Sequence, residues 1–279
     1  MIFGTNIMAL HAHRNLRMTG NIMQISSQRL SSGLRINSAA DDAAGYAISE
    51  RMTVQIRGLR QAEQNIHTGI SLMQTLDDAM DCINSILNRK RELVLQSLND
   101  TITQNERMFI QFELDQLSHE INALSSRTEF KALEVFAHEK SGLVIKPYGD
   151  GFWIQTGAKD DQGNVFTLHN TSAETLGISD LSVLTYSDAN DALAAIDTAI
   201  SHITKSRAIT GAEHNRLGHT LNRVQNSTVI LEDARSRIRD TDMAKEMMRF
   251  IQAQTLMQSG IALLAHANSN ADMVLRLLR

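Results

Sequence analysis

The sequence predicts a mainly α-helical fold: an elongated antiparallel helical bundle or coiled coil formed by both chain ends, with a small β-hairpin region in the middle. Three observations predict it. Apolar residues recur every seven positions in four separate segments, which indicates helices that bury one seam against other helices. Pro147 is the only proline among 279 residues, so long helices meet almost no helix breaker. Most of the strand-like sequence lies between Phe130 and Tyr186.

The first segment carries a seam in which large and small residues alternate. Its residues at seven-residue spacing, followed by those three positions later, are Ile2, Ala9, Leu16, Met23 and Leu30, then Ala12, Thr19, Ser26 and Gly33. Small residues let a neighbouring helix approach closely. The pattern therefore predicts a helix that pairs with another helix.

The second segment has the same spacing over a longer stretch. Its seam residues are Leu59, Ile66, Met73, Met80, Leu87 and Val94, partnered by Ala62, Leu76 and Ile83. A helix from about Ala44 to Leu98 would be roughly 80 Å long at 1.5 Å per residue. A shorter amphipathic segment, from Ile110 to Leu124, follows the turn at Asn99 and Asp100. We expect this segment to fold back antiparallel.

The middle of the chain changes character. The stretches at 152–156 (FWIQT) and 165–169 (VFTLH) are typical of two short strands, joined by a turn from Gly157 to Gly163. We therefore predict a small β-hairpin region at about residues 140–185.

Helical sequence returns at Ser187 and continues to the end. One register, broken only by Thr210, comprises Ile196, Ile203, Leu217, Val224, Leu231 and Ile238. The last register comprises Phe250, Met257, Leu264, Ala271 and Leu278, with Ala253, Gly260, Ala267 and Val274 three positions after the first four. Both ends thus share one seam design, which predicts that they pair with each other.

The terminal helices are predicted to be weak on their own. Gly20, Gly33 and Gly260 each cost about 1 kcal/mol relative to alanine inside a helix. Isolated helices gain most of their stability from packing. Exposed seams at both ends therefore imply a partner.

Composition excludes several classes of function. The net charge is −4 with acidic and basic residues intermixed, so no basic surface is expected to bind nucleic acid. The single cysteine, Cys82, excludes an internal disulfide, and we expect it to be mostly inert. The longest apolar runs, such as Ile261 to Ala265, are far shorter than the roughly 20 residues that span a bilayer. The N-terminus lacks the features of a Sec signal, so these observations alone predict a cytoplasmic protein.

Catalytic motifs are not found in the sequence. A zinc-peptidase helix needs two histidines four apart beside a glutamate, but His119-Glu120 is followed by Ala123 and His138-Glu139 by Gly142. The sequence has no Gly-x-Gly-x-x-Gly, no phosphate loop and no Gly-x-Ser-x-Gly element. We predict no enzyme activity, no cofactor and no metal.

Two blocks carry a specific family resemblance. Residues 29–45 (RLSSGLRINSAADDAAG) and 234–246 (ARSRIRDTDMAKE) lie at similar distances from the two ends, and the chain finishes with VLRLLR. These blocks resemble the N- and C-terminal junction motifs of bacterial flagellins. From its residues alone, the stretch at Asp41 and Asp42 is an acidic helix N-cap, which is compatible with that resemblance.

The resemblance implies the function, the partners and the location. Flagellins polymerise into the flagellar filament beneath a cap protein, so the expected partners are other copies of the chain, the filament cap and junction proteins, and a cytosolic export chaperone. They leave the cell unfolded through the flagellar type III apparatus, which replaces the cytoplasmic prediction with a secreted, extracellular one. Residues 1–42 and 240–279 would form the filament core, disordered in the free monomer, and residues 43–239 an outer bundle.

The resemblance and the seams together assign three groups of residues. The expected filament-core packing residues are Ala9, Leu16, Met23, Leu30, Phe250, Met257, Leu264 and Leu278. The expected chaperone-binding residues are Met257, Ile261, Leu264, Val274 and Leu277, with Phe250 on the same seam. The segment 89–96 (RKRELVLQ) resembles the flagellin segment bound by the vertebrate innate immune receptor for flagellin, which implies contacts from Arg89, Leu93 and Glu113.

Two alternatives stay open on the sequence. A hook–filament junction protein has the same terminal scheme as flagellin. A cytosolic coiled-coil adaptor would explain the heptads, although not the paired junction blocks. One departure from flagellins is the missing proline after Ala265-His-Ala-Asn268, which predicts that the last helix runs straight.

Overall fold

Five helices and two small antiparallel sheets make up the part of the chain that the structure describes. The structure is a computed structural model that describes residues 6–131, 133–134, 136, 151–167 and 170–277. In chain order the elements are α1 (Ile7–Ser32), α2 (Ala43–Ser97), α3 (Gln104–Arg127), β1 (Glu129–Phe130), β2 (Leu133–Glu134), β3 (Gly151–Gln155), β4 (Gly163–Thr167), α4 (Tyr186–Arg239) and α5 (Met243–Leu277). The mainly α-helical class is confirmed.

Capping residues explain where the shorter helices begin and end. The Asn6 side chain accepts a hydrogen bond from the backbone N–H of Ala9 at 3.1 Å, which starts α1. Gly33 ends α1 in the left-handed conformation, at φ 71°. At the start of α3, Thr103 and Glu106 form a reciprocal capping box, and the backbone N–H of Thr103 lowers the pKa of the Glu106 carboxyl.

The chain forms two compact units. Unit 1 comprises Met1–Ile56 and Val229–Arg279, and unit 2 comprises Arg57–Thr228. The unit boundaries fall inside α2 and α4. Helix α5 continues without a break through the segment where we expected relatives to carry a proline.

The predicted seam residues of the long helices lie in the core of unit 2. Those buried on α2 and α4 are Leu59, Ala62, Ile66, Met73, Leu76, Met80, Ile83, Leu87, Val94, Ile196, Ile203, Leu217 and Val224. Helix α3 contributes Ile110, Leu114 and Ile121 to the buried set. Thr210, the one break in the heptad register, is buried as well. The seven-residue spacing therefore identified the core correctly.

The hairpin of β3 and β4 packs on α2 and α4 within unit 2. A Cβ atom at Gly69 of α2 would lie 2.5 Å from the Cδ1 atom of Ile154, so glycine allows this close approach. On the other side, the Arg216 guanidinium of α4 lies 5.1 Å from the ring centroid of Phe166. The predicted strands are confirmed, one to two residues earlier in the chain than expected.

Some predicted features lie outside the described residues. Residues 140–150, which include Pro147, and residues 168–169 belong to the predicted β-hairpin region but are not described. His138 and Glu139 are not described either. The predicted core residue Leu278 lies outside them too.

Candidate assembly surface

Helices α1 and α5 pair antiparallel along the predicted seam. At one end the Asn6 side chain donates to the carbonyl oxygen of Ala267 at 2.9 Å, and at the other Ser26 contacts Glu246. The half-buried or buried seam residues are Ala9, Leu16, Met23, Leu30, Phe250, Ala253, Met257, Leu264 and Ala267. Predicted core-packing residues from both ends thus contact one partner helix of the same chain.

Glycines on each helix lie opposite large side chains of the other helix. A Cβ atom at Gly260 would lie 3.4 Å from Leu16, and one at Gly20 would lie 3.6 Å from the terminal methyl group of Met257. These are ordinary van der Waals distances, so alanine would fit at either position. The effect of these glycines is to lower the intrinsic stability of each helix.

A buried carboxylate fixes the register of the pair. Glu246 is 4% exposed and accepts a hydrogen bond from the Ser26 hydroxyl at 2.6 Å. The guanidinium groups of Arg29 and Arg249 lie 3.9 Å and 3.5 Å from its other oxygen. A buried carboxylate is tolerated only when it is paired and hydrogen-bonded. Sliding α1 along α5 would break this set.

The two junction blocks meet directly beside this pair. Leu34 and Asp240 form an isolated antiparallel bridge, in which the backbone N–H of Arg35 donates to the carbonyl oxygen of Arg239 at 2.6 Å. The backbone N–H of Thr241 donates to the carbonyl oxygen of Gly33 at 3.0 Å. The turn after α1 and the turn before α5 are therefore one hydrogen-bonded structure.

Charged side chains of the junction blocks cap and tether α2. Asp42 accepts from the backbone N–H of Gly45 at 3.0 Å and caps the helix, as predicted. Asp41 accepts from the backbone N–H groups of Ser38 and Asn37, and these bonds lower the pKa of its carboxyl. Arg239 donates to Glu50 at 2.6 Å.

Large apolar side chains cover the faces of α1 and α5 that point away from the seam. Those exposed are Ile7, Met8, Leu10, Met18, Ile22, Ile25, Met243, Met247, Met248, Ile251, Leu256, Ile261 and Leu263. So many exposed large apolar side chains on two helices are typical of a surface that binds a partner. A groove of about 450 Å³ beside the seam has Ile22, Ile25 and Leu256 among its lining residues.

This exposed set was missed by the sequence analysis, with the exception of Ile261. Heptad spacing selects one stripe of each helix, and the stripe that it selected packs inside the pair. The signal that was available is the number of apolar residues at positions outside that stripe, such as Ile22 and Ile251. Among the other predicted chaperone-binding residues, Met257 and Leu264 are half-buried, and Val274 and Leu277 lie in the last turns of α5.

The predicted receptor-contact residues do not all share one surface. The guanidinium of Arg89 donates to Glu113 at 2.8 Å and 3.1 Å, and both side chains are exposed. Leu93 is only 2% exposed and packs inside unit 2. The exposed aromatic rings Phe109 and Phe112 lie one turn or less from Glu113 on α3, and the sequence analysis missed them. A contact from Leu93 itself therefore does not fit this structure.

Lys90, next to Arg89, is fully buried. Its ammonium group donates to the Ser118 hydroxyl at 2.6 Å and to the carbonyl oxygen of Ile178 at 3.4 Å. Burial away from water lowers the pKa of Lys90 to about 8, with Asp115 opposing that change. Lys90 is thus a costly charge inside unit 2.

Neither a metal-binding cluster nor a membrane-spanning helix occurs in the described part of the chain. No group of three or more His, Cys, Asp or Glu side chains there is placed to hold a metal ion. None of the helices described above is both long and apolar enough to cross a membrane.

Comparisons with known proteins match both halves of the chain. The model of the bacterial flagellin N-terminal helical region matches residues 3–141, which include the first junction block. The model of the bacterial flagellin C-terminal helical region matches residues 193–278, which include the second. Both helices of the α1–α5 pair lie within the matched regions.

Full-length relatives give the same answer. The chain is 40% identical to the flagellin of Halalkalibacterium halodurans over 283 residues, covering 100% of both chains. It is also 40% identical to the flagellar filament 33 kDa core protein of Treponema phagedenis over 289 residues, again covering 100% of both. A solved structure described as a flagellar hook-associated protein from Vibrio parahaemolyticus has a TM-score of 0.59 at 14% identity, covering 72% of this chain and 100% of that one, which shows a shared fold alone. The chain belongs to the bacterial flagellin family.

Proposed function

We infer that the protein is the structural subunit that polymerises into the bacterial flagellar filament for motility. The observation that carries this function is the α1–α5 pair, which buries one seam and leaves large apolar side chains exposed on its other faces. Contacts that repeat from subunit to subunit without closing generate an open helical polymer. Copies of the same pair are the partners that such a surface fits.

We further propose that residues 1–42 and 240–279 form the filament core and residues 43–239 the outer layer. On their own the terminal helices bury too little surface to offset the roughly 1–2 kcal/mol per residue that backbone ordering costs. In the filament, burial contributes about 25 cal/mol per Å² of apolar surface. The ends would therefore order as the subunit assembles.

Export and handling before assembly are part of the same proposal, which here rests on the flagellin family. We propose that the chain is secreted to the cell exterior through the flagellar export apparatus. A cytosolic chaperone would cover the exposed face of α5 around Ile261 until then. Cap and junction proteins would contact the ends of the growing filament. The proposed role is mechanical and needs no catalysis.

An interaction with the vertebrate innate immune receptor for flagellin is a further proposal. It is supported by the exposed ion pair of Arg89 and Glu113 and by the neighbouring rings of Phe109 and Phe112. The same face would contact other subunits in the filament. Leu93 would act only by holding the helix surface in place.

Seeded elongation tests the structural function. Purified protein added to sheared filaments of the same chain should extend them, as seen by electron microscopy. An Ile251→Asp variant should fail because it places a charge on the exposed apolar face, whereas the matched Ile251→Val variant should elongate normally. A cytosolic adaptor would extend no seeds, and a hook–filament junction protein would not form long filaments from its own copies.

A further inference from the structure

Exposed methionines are concentrated on the two assembly helices. Among the described residues, six methionines are exposed, and five of them lie on α1 or α5: Met8, Met18, Met243, Met247 and Met248. The sixth, Met108, lies on α3. The five side chains are between 47% and 69% exposed, whereas Met73 and Met80 in the core of unit 2 are 1% and 2% exposed. Access to solvent thus differs sharply between two groups of methionines in one chain.

We propose that these five thioethers make assembly sensitive to oxidation: a hydroperoxide converts them to sulfoxides in the free subunit, which blocks incorporation, and incorporation shields them. The proposal rests on the proposed function, because it takes the exposed faces of α1 and α5 to be the filament contacts. It adds a chemical modification that acts on those faces before assembly and not after it.

The chemistry needs only a peroxide such as hydrogen peroxide. A lone pair of the methionine sulfur attacks one peroxide oxygen, the S–O bond forms and the O–O bond breaks. A proton shift releases the other oxygen as water, so the sulfur loses two electrons and the peroxide gains them. The reaction follows the exposure of the sulfur, which is high at the five positions.

Sulfoxide at these positions conflicts with burial in an apolar contact. Met243, Met247 and Ile251 lie four residues apart and form one stripe of α5. A sulfoxide adds a strong hydrogen-bond acceptor to such a stripe, and burial without a donor is costly. An unmodified thioether remains apolar and flexible, so it packs against a neighbouring subunit without that cost.

The test uses partly oxidised full-length protein. The protein is treated with hydrogen peroxide and then with a thiol reductant, which restores Cys82 and leaves sulfoxides unchanged. It is added to filament seeds, and the sulfoxide fraction at each methionine is measured by peptide mass spectrometry in the filaments and in the unincorporated protein. At the five positions, we expect sulfoxide to be depleted at least roughly tenfold in the filaments. Equal sulfoxide fractions in the two pools would overturn the proposal.

Variants provide the matched control. Replacing all five methionines with leucine keeps the faces apolar and removes the sulfur. Peroxide should therefore lower the elongation of this variant much less than that of the native chain, each measured against its own untreated sample. The Met108→Leu variant should stay as sensitive as the native chain. A five-site variant that loses elongation to peroxide as the native chain does would also refute the proposal. If untreated native protein fails to elongate seeds, the filament function itself is wrong, and that result is separate from any effect of peroxide.

Discussion

The side chain of Lys90 carries an ammonium group in a buried environment. It is 0% exposed and its hydrogen-bond partners are a hydroxyl and a carbonyl oxygen, neither of which carries a charge. Burial holds its pKa at about 8, below its ordinary value of 10.5. The unfolded chain therefore keeps the proton at pH values where the folded chain has lost it.

Replacing Lys90 with methionine should change how stability depends on pH. Between about pH 8 and 10.5 the unfolded native chain binds more protons than the folded one, so its free energy of unfolding should rise with pH relative to the variant. From above pH 10.5 to below pH 8, the native chain should lose about 3 kcal/mol of stability relative to the variant, because the buried ammonium must then carry its charge. Urea unfolding followed by circular dichroism measures both. Parallel pH profiles for the two proteins would show that Lys90 is not the cause.

Arg89 is the second residue whose replacement tests a proposal. The Arg89→Asp change replaces an ion pair with two like charges beside Glu113, so receptor signalling by free monomer should fall at least roughly tenfold if this face is the contact. A receptor-driven reporter cell line measures it. The same substitution would weaken filaments, so monomer of verified fold is required.

A matched charge reversal at Arg127→Asp, an exposed position at the end of α3, should leave signalling unchanged. Unchanged potency of the Arg89→Asp variant would remove the receptor proposal. Equal loss in both variants would point to a general charge effect.

Single residues differ in how well the sequence predicts them. Leu16, Met23 and Met257 were found at the seam because heptad spacing follows directly from helix geometry. Lys90 was not recognised as buried, since a lysine on a long helix usually lies in solvent and its burial depends on the segment around Ile178 that covers it. Leu93 was assigned from a motif, and a motif does not show which side of the helix is covered.

At the scale of elements, α1 and α5 have an apolar surface larger than a two-helix pair can bury. One stripe of each helix is used in the pair, and Glu246 sets their register. The remaining apolar residues stay exposed. Such a surface fits the partners proposed above, first a chaperone and then other subunits.

Removing α5 should abolish chaperone binding. Deletion of the last forty or so residues takes away the whole proposed site, and binding can be measured by isothermal titration with the cognate export chaperone. The point variant Ile261→Asp should weaken binding at least roughly tenfold, because it places a charge on an exposed apolar position. Ile261→Val is its matched control and should bind as the native chain does. Full binding by the truncated protein would place the site elsewhere.

The elements themselves were largely predictable from the sequence. Long helices with one heptad register gave clear signals, and their observed limits agree closely with the expected ones. The strands β3 and β4 begin earlier than predicted, because Gly151, Gly163 and Asn164 pair within the ladder although they lie outside the apolar stretches. Alternation of side chains does not reveal that pairing. The sequence of one chain could not show which exposed apolar face of α1 or α5 contacts a partner, because the heptad pattern carries no information about the partner.

At the scale of the whole molecule, we propose that ordering of the ends is coupled to assembly. Unit 2 has a continuous buried core, whereas unit 1 depends on a pair of helices with exposed apolar faces. In this proposal the middle of the chain is stable by itself, whereas the ends become stable only when many subunits meet. Ends that are unordered before assembly would also suit the proposed passage through an export apparatus.

Limited proteolysis of monomer and filament tests this claim most directly. A nonspecific protease should trim both ends of the free monomer to a stable fragment near residues 45–240, because unordered backbone is cleaved first. Assembled filaments should resist the same treatment, and the purified fragment should fail to elongate seeds. A monomer whose ends are as protected as its middle, or a fragment that still polymerises, would contradict the account.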